Sequence, residues 1–124
     1  EYVSICGIDY PTPDGTAIRD YIHVEDLASA HLYALDYLEK GGPSTAMNVG
    51  YGRGRSVREV LETVKKVSGV DFMVAEEERR LGDPPHLVAK ADKIGLLTGW
   101  RPRFDNLETI VADAWRWENR LAGK

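Results

Sequence analysis

Apolar positions along the chain follow two periods. Leu27, His31, Ala34, Leu35 and Leu38 recur every three or four residues, which predicts a helix from Asp26, as its cap, to about Glu39. The "GGPS" stretch, Gly41–Ser44, ends it through glycine's backbone freedom and proline's missing amide donor. Val57, Val60, Leu61, Val64 and Val67 line a second helix, stopped by Gly69. Its start, Ser56 to Glu59, is a capping box in which hydroxyl and carboxylate each satisfy a free backbone amide. A short helix starts at Asp92 and stops at Gly99. A last one, capped by Asp105 or Asn106, turns Leu107, Ile110, Val111, Ala114, Trp117 and Leu121 inward. Strand patterns are shorter. Tyr2–Cys6 is short and β-prone, Asp20–Val24 reads as a short strand or an extended entry, Thr45–Gly50 reads as a buried-type strand, and Val70, Phe72 and Val74 alternate with polar or small neighbours. Between them lie a turn-rich loop (Asp9–Ala17), a glycine loop (Tyr51–Arg55) and a charged loop, "EEERRLGDPPH".

The alternation of strands and helices predicts an α/β fold with βαβ-like units. The strands are few and short for a complete sheet, so residues 1–124 read as one domain that is a piece of a larger fold. A hydrophobic share of 43% against 29% charged residues is enough to bury a core. A formal net charge of -4 argues against general nucleic-acid binding, which needs a basic face for phosphates. No apolar run is long enough to span a membrane, and the first residues carry no signal-peptide pattern. The single cysteine, Cys6, excludes an internal disulfide and fits a reducing, cytoplasmic setting.

Candidate chemistry is sparse when each motif is read alone. Gly50, Gly52 and Gly54 stand between a strand pattern and a helix start, where amides favour an anion. The dinucleotide fingerprint G-x-G-x-x-G fails, however, because Arg55 or Val57 stands where the third glycine belongs. In "RRLGDP", Arg80 offers a planar fork for phosphate and Asp83 an acceptor for vicinal hydroxyls; the plainer reading is a solvated charge run. Arg19, one step from Tyr21, either sits in solvent or holds an anion. His23, His31 and His86 lack metal-ligand spacing, and His31 reads as a core residue. Asp14, Asp20, Asp26 and Asp83 read as turn, cap or loop residues, or as ligand contacts. No nucleophile–base–acid set can be assembled.

Taken together, "DYPTPDGTAIRDYIHVEDLASAHLYAL", "MNVGYGRGRSVREV", "RRLGDPPHLVA" and "GWRPRFDNLETIVADAWRW" resemble the C-terminal portion of the UDP-glucose 4-epimerase family. That family lies in the extended short-chain dehydrogenase/reductase superfamily, and the resemblance runs from about Cys6 to Trp117. It implies an N-terminal Rossmann domain, outside this chain, that binds NAD and carries the catalytic tyrosine; no Tyr-x-x-x-Lys occurs here. This chain would hold UDP-glucose or UDP-galactose, with "MNVG" and the "DLASAHLYAL" helix completing the Rossmann domain, and would bind no cofactor and catalyse nothing alone. By the same resemblance Arg19 and Arg80 take the diphosphate and Tyr21 lines the pocket. Val57 packs on the nucleotide, Asp83 meets the ribose hydroxyls, and the backbone from Ser4 to Cys6 reads the uracil edge. Many members have an aromatic where Cys6 stands. Leu87, four residues after the aspartate of "RRxGD", is a bulky tyrosine in some members and a smaller residue in members that accept N-acetylated sugars. It therefore implies some tolerance of UDP-N-acetylhexosamines.

The resemblance further implies a homo-oligomeric parent enzyme of galactose metabolism. The alternatives are a fragment of another nucleotide-sugar dehydratase, decarboxylase or epimerase, or a non-catalytic binding domain.

Overall fold

A computed structural model describes residues 2–123. Five strands and four helices follow one another as β1 (Tyr2–Cys6), β2 (Ile18–Arg19), α1 (Val24–Glu39), β3 (Arg55–Ser56), α2 (Val57–Ser68), β4 (Met73–Glu77), β5 (His86–Leu87), α3 (Asp92–Thr98) and α4 (Leu107–Leu121). They form two small sheets. β1 and β4 pair in parallel, with Tyr2 opposite Met73 and Cys6 opposite Glu77. In the other sheet β2 lies between β3, antiparallel to it, and β5, parallel to it. α2 packs on α4, and α1 on α3. Ala30, Ile94 and Trp100 form the buried centre of the α1–α3 contact, with Ile22, Met47 and Val49 against it. Trp100 satisfies its ring donor on Ser29 Oγ at 2.9 Å, as a buried indole must.

The capping box of α2 forms as the sequence predicts. Glu59 N donates to Ser56 Oγ at 3.0 Å, and Ser56 N donates to the Glu59 carboxylate at 2.7 Å. Gly69 closes the helix in the left-handed conformation, at φ 70°, which costs a residue without Cβ least.

Elsewhere local signals were overridden. Thr45–Gly50 is not a strand: no partner ladder reaches it among the described residues, although Met47 and Val49 still pack, partly buried, against the core. Of the two readings of Asp20–Val24, short strand or extended entry, the strand fails: Asp20 to His23 carries no ladder and leads into α1, and the strand lies just before, at Ile18–Arg19. There Asp20 is taken up by loop amides instead of a ladder. α1 is capped by His23, whose Nδ1 accepts from Glu25 N at 3.0 Å, and not by Asp26. The reason is that Asp26 turns fully inward to accept bonds from another segment. Asp92 opens α3 without capping it; the cap position is Ala91, which makes no side-chain bond. Asn106, not Asp105, caps α4, because Asp105 pairs with Arg53 at 3.4 Å.

The inward faces also differ from expectation. Leu27, Leu35 and Leu38 are exposed, and so is His31, whose Nδ1 lies 2.8 Å from its own helix's Leu27 O. α1 instead buries Asp26 and Ala30, the face that meets α3. On α4, Trp117 is 56% and Leu121 63% exposed, while Val111 is buried.

Candidate functional site

The three-stranded sheet arranges the site. Its strands have two residues each, too short to persist on ladder bonds alone. Two carboxylates flank β2 and hold it. Before it, Asp14 accepts from Thr16 N at 2.9 Å, from Thr16 Oγ1 at 2.7 Å and from Ser56 Oγ. Burial works to raise the Asp14 carboxyl, but the bonds from Ser56 and Thr16, with the charge of Arg58, hold it below the usual range. After β2, Asp20 accepts from Tyr51 N at 3.1 Å, Gly52 N at 3.0 Å and Ala89 N at 3.2 Å. One row across this sheet reads Arg55, Arg19, Leu87. Residues directly opposite share a face, so Arg19 and Leu87 stand side by side.

Arg19 holds an anion from its own chain. Its Nη2 donates to the Asp83 carboxylate and its Nη1 to Ile18 O at 2.7 Å. Tyr21, two residues on, is half-buried; burial raises its hydroxyl, and the charge of Arg19 pulls it part of the way back. The loop bearing Asp83 is held in turn. Asp83 N donates to Arg80 O at 3.2 Å across a turn whose third residue, Gly82, has φ 80°, a type II requirement. Arg79 is fixed on Asp9 Oδ1 at 2.6 Å and lies 4.4 Å from the centre of the Tyr10 ring, a cation–π distance. Tyr10 Oη donates to Asp83 O at 3.4 Å. Arg80 is exposed and makes no ion pair among the described residues. With Tyr10, Leu81, Gly82, Asp83 and Pro85 it lines a cleft of about 470 Å³.

The structure thus joins Arg19 to Asp83 by an ion pair, Arg19 to Leu87 across the sheet, and Asp83 to Arg80 across a turn. Leu87 is 59% exposed. Val57 follows β3 directly, and its amide donates to Ala17 O at 3.0 Å, beside β2. Ser4 and Cys6 lie in the other sheet. Ser4 Oγ bonds the Glu77 carboxylate, and Gly7 N, just after Cys6, donates to Glu77 O at 2.9 Å. No hydrogen bond or ion pair ties Ser4 or Cys6 to Arg19, Arg80 or Asp83 among the described residues. Chain direction relates them: β1 and β4 run parallel, and the loop carrying Arg80 leaves from the end of β4 opposite Cys6. Clefts outside the carboxyl ends of strands are where open α/β sheets take ligands.

The glycine loop does not fit a dinucleotide cradle. The Tyr51 and Gly52 amides, which would face a pyrophosphate, already point at the Asp20 carboxylate. A Cβ on Gly50 would lie 2.6 Å from Asp20 Oδ2, and one on Gly54 2.3 Å from Ile18 Cγ2. These glycines permit close packing within the chain. Among the described residues, no group of His, Cys, Asp or Glu clusters as metal ligands would, and no helix is long and apolar enough to cross a membrane.

One network escapes sequence reasoning. Asp26, fully buried, accepts from Tyr51 Oη at 2.6 Å and from the amides of Arg103 and Phe104 at 2.9 Å each. Burial works against its charge, but these bonds, with nearby His23, keep the carboxyl below its ordinary range; the Tyr51 hydroxyl is pushed far up. His23 Nε2 meets Asp113 at 3.0 Å and its ring stacks on Phe104 at 4.6 Å. Only the polar residues inside the pattern "HVED" hinted at it.

Residues 3–50 match the NAD dependent epimerase/dehydratase family. The UDP-glucose 4-epimerase of Azospirillum brasilense is 56% identical over 119 residues, 96% of this chain and 34% of that protein. That of Streptococcus mutans is 48% identical over 119 residues, again 96% of this chain and 36% of the relative. The UDP-Glc/GlcNAc 4-epimerase of Campylobacter jejuni superposes with a TM-score of 0.85 at 55% identity, covering 96% of this chain and 36% of the other. The UDP-glucose 4-epimerase of Bifidobacterium longum, solved with NAD+ and UDP, gives 0.89 at 36% identity, covering 97% and 35%. The chain spans about a third of the length of the relatives it matches. Sequence and fold together identify it as an α/β portion of the extended short-chain dehydrogenase/reductase fold, similar to the UDP-glucose 4-epimerases and fitting their C-terminal part.

Proposed function

We propose that this chain is the UDP-sugar-binding portion of an NAD-dependent UDP-glucose/UDP-galactose 4-epimerase. Arg80 and Arg19 grip the diphosphate, each able to donate paired N–H groups. Asp83 hands part of Arg19 to the phosphate and takes the ribose hydroxyls. Tyr21 and Val57 wall the pocket, and the Ser4–Cys6 backbone meets the uracil. NAD, which would accept the hydride from C4, and the tyrosine that takes the proton of the C4 hydroxyl belong to the rest of the parent enzyme, which works as a cytoplasmic homo-oligomer in galactose metabolism. This chain's share is to anchor UDP while the oxidised sugar turns and presents its other face, a contribution of positioning. The observation that carries the reading is the Arg19–Asp83 pair beside the unpaired Arg80, in a chain 56% identical to an epimerase.

Calorimetric titration with UDP tests it. UDP binding that weakens on Arg80→Ala is the expected result; no UDP binding would leave the non-catalytic alternative standing. A second feature extends the reading to the sugar. Leu87 is open at the edge of the site, and one relative at 55% identity is a UDP-Glc/GlcNAc 4-epimerase. Turnover of UDP-N-acetylglucosamine within a thousandfold of UDP-glucose, about 4 kcal/mol, is expected of the parent enzyme; a larger preference would sink the extension.

A further inference from the structure

We infer that Asp20 is a positioning residue that sets the diphosphate-facing orientation of Arg19 and, through β5, of Leu87. The inference rests on the nucleotide-binding reading above. β2 and β5 contribute two residues each, so their pairing needs support beyond its own ladder. Asp20 is the next residue after Arg19, and Ala89 lies two residues after Leu87. The carboxylate of Asp20 accepts from Ala89 N at 3.2 Å and from Tyr51 N and Gly52 N at 3.1 and 3.0 Å. It therefore pins together the chain leaving β2, the chain leaving β5 and the loop leading to β3, at the end of the sheet where Arg19 and Leu87 lie. Gly50 lets this happen: a Cβ there would lie 2.6 Å from both Asp20 Oδ2 and Ala89 Cβ. A carboxylate suits three converging N–H donors because it offers only lone pairs; asparagine would aim its own amide hydrogens at one of them.

A residue that only supports the fold would, when changed, weaken every ligand alike. A residue that orients Arg19 should weaken recognition of the phosphates alone. The test therefore compares affinities for UDP and for uridine, which differ only in the diphosphate. In Asp20→Asn and Asp20→Ala the ratio of UDP to uridine affinity is expected to fall at least tenfold, toward that of Arg19→Ala. Uridine binding stays within about twofold. Val111→Ala, a change at a buried position of α4 outside the residues assigned to the site, serves as the destabilised comparison and keeps the ratio of the unaltered protein. Equal loss of UDP and uridine binding in the Asp20 variants, or an unchanged ratio, would overturn the inference. Should the unaltered protein bind no UDP, the nucleotide-binding reading fails; amide exchange then judges the clamp alone. Faster exchange at Tyr51, Gly52 and Ala89 in Asp20→Ala, with α4 unchanged, supports it, and unchanged exchange refutes it.

Discussion

Arg19 and Arg80 have the same chemistry and opposite circumstances. Arg19 is already neutralised by Asp83 and braced on Ile18 O, whereas Arg80 stands exposed on a turn. On the proposed reading, a diphosphate at the cleft would share Arg19 with Asp83 and take Arg80 outright. Replacing Arg80 by alanine is therefore expected to cost UDP roughly tenfold to a hundredfold in affinity, the worth of a charge-assisted hydrogen bond, measured by calorimetry. Asp26 makes a prediction of another kind. Its carboxyl titrates below its unfolded value near 3.8, so the stability it contributes is complete above about pH 4 and is lost as pH falls through the folded value. The stability gap between the unaltered protein and Asp26→Asn should be widest near neutrality and should close in acid. Urea melts at pH 7 and pH 3 measure it; a gap that widens in acid would contradict the assignment.

Among the elements, those with complete local signals were legible. The Ser56–Glu59 box and Gly69 bound α2 as their chemistry requires, and replacing Ser56 by alanine should cost more in a denaturant melt than the about 1 kcal/mol of a lost cap. The excess arises because Ser56 Oγ also answers Asp14 across the sheet. The signals that failed depend on partners distant in sequence. Nothing near Asp26 reveals that Arg103 and Phe104 will claim its carboxylate, leaving the cap to His23. Thr45–Gly50 has a strand's apolar pattern, but a strand also needs a neighbour to bond, and no local pattern supplies one. The site divides in the same way. Arg19 and Arg80 could be singled out by residue type, but not that Asp83 would lock onto Arg19 or that Asp20 would gather three amides.

At the scale of the whole molecule, apolar surface is distributed unevenly. Leu27, Leu32, Leu35 and Leu38 on α1 and Leu96 and Leu97 on α3 are exposed, more than scattered surface residues explain. Exposed apolar side chains in such number favour association with another surface. The 124-residue chain alone is expected to self-associate; a clean monomer by light scattering, with a cooperative melt, would contradict that. The way the site is wired also bears on the order in which it can form. Arg19 reaches Asp83 over 64 residues, Asp20 reaches Ala89 over 69, and Tyr10 reaches Asp83 over 73. Each of these contacts closes a long loop, while α1, α2 and α4 form on near neighbours, and long closures are the slow steps of folding. During synthesis the Asp20 contact with Ala89 cannot form until Ala89 has left the ribosome. In refolding, pulse-labelled amides of α2 should be protected before those of Gly52 and Ala89, so the helices wait for the site.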